Sequence, residues 1–138
     1  LELLAPFESA NDISTLSRSG ELQMLGTSGT VTTLAAVNLG LPKYDRLQVD
    51  AQWIASTAIT ETSHRLARMS YEERADHPCI KRGRADLVVA GCAILEAIMR
   101  SWPVERVRVA DRGLREGILL ALMAAEDRSA PVHVGMAS

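Results

Sequence analysis

At 138 residues the chain is one domain or part of one, and a composition of 47% hydrophobic and 23% charged residues excludes a disordered polymer. The net charge of −2 gives no global attraction for nucleic acid or for an anionic membrane, so neither is expected as a partner. Aromatic residues make up only 4%, which leaves an aliphatic, alanine-rich core, and the basic residues are almost all arginine, with Lys43 and Lys81 the exceptions.

Residues 1–19 read as a helix, with Pro6 tolerated in the first turn, Gly20 suited to the position just past the end, and Leu3, Leu4, Phe7, Ala10, Ile13 and Leu16 as an apolar stripe. The chain opens in the run-up to this helix, which points to a piece of a longer protein. Residues 21–25 predict a short buried strand, and a glycine turn then leads into a helix over 31–39, stopped near Gly40 and Pro42. Val31, Thr32 and Thr33 are β-branched, so packing rather than propensity has to hold that helix. Residues 41–49 read as a loop, and Asp50 as the N-cap of a helix over 51–68 with Trp53, Ile54, Ala58 and Leu66 on its buried face. Ser70 and Glu73 form the Ser-x-x-Glu pattern of a capping box, opening a short helix that ends before His77 and Pro78.

After an irregular charged connection, residues 84–100 predict a helix buried over most of its circumference, with Gly91 and Ala93 allowing close approach of another element. That segment is too short and too interrupted to span a bilayer. The alternation over 106–110 is the period-two mark of a strand; Asp111, Arg112 and Gly113 make the turn, and Leu114, Ile118, Ala121 and Leu122 mark an amphipathic helix. The folded unit is assigned to 1–126, and 127–138 to a flexible tail. Two strands, each followed by a helix, give an α/β class that is helix-rich with few strands. Two strands are fewer than an open parallel sheet uses, so further strands are expected elsewhere.

The first candidate for chemistry is the turn Gly26, Thr27, Ser28, Gly29 and Thr30. A strand entering a helix through glycines leaves backbone N–H groups free at the positive end of the helix dipole, where an anion fits, and the hydroxyls add donors. Taken alone, the turn is better explained as a helix start capped by Ser28 or Thr30. No lysine follows the second glycine, so the P-loop pattern is absent. The second candidate is the run 81–86, where Lys81, Arg82 and Arg84 precede the apolar helix. A cation there opposes the helix dipole unless an anion binds or an acid such as Asp86 pairs, and pairing on a solvated face is the simpler explanation. In the third, 109–117, Asp111 reads as a helix cap, and Arg115 and Glu116 as partners for neighbouring elements. Cys79 and Cys92 show neither disulfide nor zinc spacing, which suits a reducing cytoplasm, and His64, His77 and His133 are scattered singly. The first residues carry no secretory-signal pattern. No complete active site can be assembled from these residues.

Four stretches in order, 26–35, 41–46, 83–95 and 110–117, together resemble the second lobe of the exopolyphosphatase / guanosine pentaphosphate phosphatase family, over about residues 3–123. The resemblance implies part of a ribonuclease-H-like lobe of the actin-like ATPase superfamily, two such lobes flanking a cleft. It also implies cytoplasmic hydrolysis of terminal phosphoanhydrides in inorganic polyphosphate or guanosine pentaphosphate, assisted by Mg²⁺. By the same resemblance Gly26, Thr27, Ser28, Gly29 and Thr30 face the cleft, and Arg84 approaches substrate phosphates. The family's catalytic glutamate, its Asp-x-Gly-Gly-Gly-Ser phosphate loop and its first lobe have no counterpart here, so the chain is expected to be inactive alone. The first lobe is its expected partner. An alternative is a non-catalytic binding or self-assembling module, a homo-oligomer formed through released helix faces and a sheet edge. Another actin-like member, a sugar kinase or chaperone-type ATPase, fits the 110–117 stretch less well.

Overall fold

The centre of the sheet is β3 (Arg106–Val109). Its alternation sends Val107 and Val109, both fully buried, to one face, and Arg106 and Arg108 to the other. In the computed structural model, which describes residues 2–129, β1 (Met24–Gly26) pairs with β3 in parallel and β2 (Trp53–Ala55) pairs antiparallel on its other side. The order is therefore β1-β3-β2. On the outer face the guanidinium of Arg106 lies 4.3 Å and that of Arg108 5.2 Å from the Trp53 ring centroid, cation–π contacts that pin β2 to β3.

The core lies between the valine face of the sheet and three helices, α3 (Gly29–Asn38), α5 (Ser56–Arg68) and α7 (Leu87–Ser101). In α3 every residue from Val31 to Val37 is buried, because the helix contacts α5, α7 and β3 together. This burial outweighs the poor helix propensity of Val31, Thr32 and Thr33. The expectation that α7 is buried over most of its circumference is corrected. Only the stripe Val88, Cys92, Leu95 and Met99 is buried, at helical spacing, while Leu87 and Ile94 are exposed. The close approach expected at Gly91 does occur: a Cβ there would lie 2.1 Å from the Thr30 hydroxyl of α3.

Four other expectations are corrected. The N-terminal helix is broken into α1 (Ala5–Asn11) and α2 (Ile13–Ser19), after a 3₁₀ turn at Glu2–Leu4, by Asp12 in the left-handed region at φ 47°. Glu8 bridges the break, accepting from the Ser14 N–H at 3.0 Å and from Trp102 Nε1 at 2.5 Å, while Phe7 meets the Trp102 ring edge-on; these contacts dock the α1–α2 pair on the end of α7. The first strand is shorter than expected and not wholly buried: Leu25 is 58% exposed, because it pairs in register with Arg108 on the outer face of the sheet. The loop 41–49 contains a short helix, α4 (Arg46–Val49), capped by the Asp45 carboxylate on the Leu47 N–H. Asp50 is not the N-cap of the following helix but the C-cap of α4, its N–H donating to the Arg46 carbonyl. Ala51 turns the chain at φ 65°, and 53–55 join the sheet because strand pairing satisfies backbone groups that a helix start leaves open, so α5 begins only at Ser56.

The capping box forms as expected and opens α6 (Tyr71–Ala75). The last helix, α8 (Leu114–Ser129), takes in 127–129 of the stretch assigned to the tail; 130–138 lie outside the described residues. Leu114, Ile118 and Leu122, read as the apolar side of an amphipathic helix, are 80%, 50% and 58% exposed, since no other described element covers them. Among the described residues no helix is long and apolar enough to cross a membrane.

Candidate functional site

Because β1 and β3 are parallel neighbours, their carboxyl ends release two turns side by side, and the Ala110 N–H donates to the Gly26 carbonyl at 2.9 Å between them. In an α/β sheet this end of the strands is where ligands collect. Helix α3 starts from the first turn and α8 from the second. Ser28 is extended and its hydroxyl accepts from the Val31 N–H at 3.4 Å, so it caps α3. Gly26 has no room for a side chain, since a Cβ would sit 2.6 Å from the Val31 Cγ1.

Arg84 reaches the same corner from a different element. A 3₁₀ turn at Arg82–Arg84, closed by the Arg84 N–H on the Lys81 carbonyl at 2.7 Å, sets it just ahead of α7. Its guanidinium lies over Gly29, where an added Cβ would be 2.5 Å from Nη1. Of the six residues singled out in the sequence, Thr27, Gly29 and Arg84 line one open pocket of about 630 Å³. Thr30 faces the groove between α3 and α7, which Gly29 and Arg84 also line. Gly26 and Ser28, with Thr27, border an apolar groove beside β1 instead. Arg84 is not paired with Asp86: among the described residues it has no ion pair.

The other wall of the pocket is a network that sequence reasoning passed over. Tyr44 Oη donates to Asp111 Oδ2 at 2.8 Å, and Arg46 Nη2 donates to Glu116 Oε1 at 2.8 Å and also to the Asp111 carbonyl. Asp50 accepts from the Asp111 N–H at 2.9 Å and from Arg112 Nε at 3.0 Å. Asp111 is therefore held from two sides rather than capping α8. The cap falls to Glu116, whose Oε2 accepts from the Gly113 N–H at 2.9 Å. These partners lie 61 to 70 residues apart, beyond any local pattern. The legible signals were only Tyr44-Asp45-Arg46 within the family-like stretch and the expectation that Glu116 pairs with a neighbouring element.

The Arg46 hydrogen bond, and next the Gly113 N–H, hold the Glu116 carboxyl down to about 2. The Asp111 N–H does most to hold Asp50 below its ordinary value, while desolvation raises Tyr44. A carboxyl lowered in the folded state stabilises the fold above its unfolded value, and that support is lost as pH falls toward the folded value. Thermal melts from pH 6 to pH 2 should show an acid-induced drop in melting temperature that is smaller in Glu116→Gln. An unchanged drop would show that this tether carries no pH-dependent stability.

Among the described residues no three His, Cys, Asp or Glu side chains group to hold a metal. The two carboxylates that line the pocket, Asp111 and Glu116, are already engaged by Tyr44 and Arg46. The donor set therefore does not fit a resident divalent cation.

A three-stranded sheet covered by α3, α5 and α7, with a pocket at its strand carboxyl ends, is a partial, helix-rich α/β lobe, and its structural neighbours put it in the ribonuclease-H-like, actin-like class. Solved structures share it. A crystal structure of the Aquifex aeolicus member of the Ppx/GppA family superposes with a TM-score of 0.72 at 27% identity, covering 82% of this chain and 38% of that one. An exopolyphosphatase from Cytophaga hutchinsonii superposes at 0.73 with 23% identity, covering 90% and 39%, a likeness of fold. The chain belongs to the Ppx/GppA phosphatase family, whose model matches residues 5–126. It is 26% identical over 102 residues to Exopolyphosphatase 2 of Mycobacterium tuberculosis (strain CDC 1551 / Oshkosh), covering 71% of this chain and 32% of that protein. Exopolyphosphatase 1 of Mycobacterium bovis is 28% identical over 102 residues. The chain thus spans about a third of the length of the curated relatives it matches.

Proposed function

We propose that this chain forms one wall of the substrate cleft of a phosphatase that removes terminal phosphates from inorganic polyphosphate or guanosine pentaphosphate. One observation carries the reading: Thr27, Gly29 and Arg84 converge on a pocket whose lining holds Arg46, Lys81, Arg84, Arg112 and Arg115 against only Asp111 and Glu116. An arginine-rich pocket at a helix start suits a condensed phosphate, whose paired, charged oxygens accept two hydrogen bonds at once from a planar guanidinium. Hydrolysis of a phosphoanhydride also needs a base to orient water and charge neutralisation at the leaving group. Among the described residues this wall offers no free carboxylate for the first and no metal set for the second. The chain accordingly binds phosphate and does not cleave it; a Mg²⁺ ion and the base belong to a facing lobe. Two buried free thiols suit a reducing cytoplasm.

Isothermal titration with inorganic polyphosphate at low and high salt tests this. Saturable binding that weakens with salt, with no phosphate released, is expected. Absence of binding, or metal-dependent release by the isolated chain, contradicts it.

One observation favours the alternative of a self-assembling module. Leu119, Leu120, Leu122 and Met123 of α8 are 58–66% exposed on several sides of the helix. A helix apolar all round is normally covered. Sedimentation equilibrium of the chain would show a concentration-dependent dimer that Leu122→Glu dissolves if the module reading holds, and a monomer if it does not.

A further inference from the structure

Arg74 does not line the pocket; it is half-buried on α6, where its guanidinium meets backbone carbonyls of two separate segments. Its Nε donates to the Ala85 carbonyl at 2.8 Å, and its Nη1 donates to the Leu66 carbonyl at 3.3 Å and to that of Met69. Leu66 and Met69 belong to the end of α5, where carbonyls lack helical partners and the dipole is negative, so a cation fits there. Ala85 follows the 3₁₀ turn that carries Arg84. One planar fork therefore ties the end of α5 to the head of α7. The capping box that opens α6 sets this fork in place, with the Arg74 N–H on the Ser70 carbonyl at 3.1 Å. The tie falls where the chain has little else to hold it. Arg82, Gly83 and Arg84 are all exposed, and among the described residues no side chain caps the start of α7. The Arg84 N–H on the Lys81 carbonyl and the Ala85 N–H on the Arg82 carbonyl close the turn on itself but do not fix its direction. The buried Ala85, through its bond to Arg74, does.

Resting on the reading of the pocket as a phosphate cleft, we propose that Arg74 is a positioning residue for Arg84. It holds the 82–85 turn to the end of α5, so that the Arg84 guanidinium stays over Gly29, and it does this without touching the anion. On an untied turn Arg84 samples many positions, and each binding event has to order it first, which weakens affinity.

Arg74→Lys is the test substitution. It keeps the charge, and with it the field at the pocket, but an ammonium cannot serve three carbonyls in the geometry of the fork. Titration of the intact chain with inorganic polyphosphate, well below the melting temperature, should show binding weakened about fivefold or more in Arg74→Lys. In an Arg84→Ala chain the same substitution should weaken binding less than about twofold, because the group it positions is gone. Gly83→Ala, whose methyl would meet nothing within 4 Å, stiffens the turn and should return part of the affinity to Arg74→Lys. A lower melting temperature with unchanged affinity would make Arg74 a structural tie alone. Equal losses with and without Arg84 would mean that it does not act through Arg84. Either result, or no return from Gly83→Ala, overturns the proposal. Should Arg74→Lys not fold, hydrogen exchange of wild type decides: the Arg84 amide should exchange as slowly as those in the last turn of α5, and free exchange overturns the tie. If wild type binds no polyphosphate, the cleft reading itself fails, an outcome distinct from a wild type and an Arg74→Lys chain that bind equally well.

Discussion

Gly91→Ala is expected to lower the melting temperature by roughly 3–8 °C, although alanine is the better helix former by about 1 kcal/mol. The added methyl would stand 2.1 Å from Thr30 Oγ1, 2.9 Å from its Cγ2 and 3.0 Å from its Cβ. Turning χ1 moves the hydroxyl and Cγ2 together, but the Cβ at 3.0 Å is fixed to the backbone of α3 and carries both branches with it, so α3 and α7 have to separate. Both helices pack on the core beneath, and α3 is buried from Val31 to Val37, so that separation disturbs contacts on every side. The overpacking cost, about 1–3 kcal/mol, outweighs the propensity gain. Thr30→Ala in the same chain removes the hydroxyl and the methyl and should return most of the loss. Paired thermal melts of the single and double variants read this directly. A Gly91→Ala chain as stable as wild type would mean that the α3–α7 spacing is not set here.

Arg84→Ala should weaken polyphosphate binding by about ten- to a hundredfold, as expected for the loss of charge-assisted hydrogen bonds worth roughly 1.5–3 kcal/mol. Titration calorimetry measures it, and the salt dependence should flatten, because one fewer cation meets the ligand. Gly29→Ala should act in the same direction by a different route. Its methyl would meet Arg84 Nη1 at 2.5 Å, and that group, at the end of a flexible side chain, can swing away without disturbing the fold. Stability should then be almost unchanged while binding falls. The contrast with Gly91 is physical: one glycine faces a side-chain tip and the other a residue locked in a helix. Binding unaffected by either substitution would remove Arg84 from the site.

Elements whose signals are local were legible in the sequence. The Ser70–Glu73 capping box, the alternation of β3 and the glycine turn before α3 each depend on residues within a few positions of one another. The errors fell where a distant partner decided the outcome. Trp53, Ile54 and Ala55 read as helix because apolar residues follow a plausible cap, but β3 recruits them as a strand. The apolar run of α7 suggested a helix buried over most of its circumference, whereas α3 is the one so buried, because the sheet, α5 and α7 all meet it. At the site, the glycine turn and Arg84 were found separately and the fold brings Gly29 and Arg84 together. Tyr44, Arg46 and Asp50 were not found as a group, since hydrogen bonds across 61 to 70 residues leave no periodicity or spacing to read. The rule that a cation before a helix is usually paired on a solvated face failed for Arg84. The fold turns that side chain back over Gly29, away from Asp86.

Amide chemical shifts of the ¹⁵N-labelled chain, followed during a titration with inorganic tripolyphosphate, probe most directly whether this surface is a phosphate-binding wall. The expected result is a saturable set of shifts confined to Thr27, Gly29, Arg84 and the 112–116 turn, with the ligand recovered intact. Shifts centred on the outer face of the sheet or on α5, or none at all at saturating ligand, would contradict it.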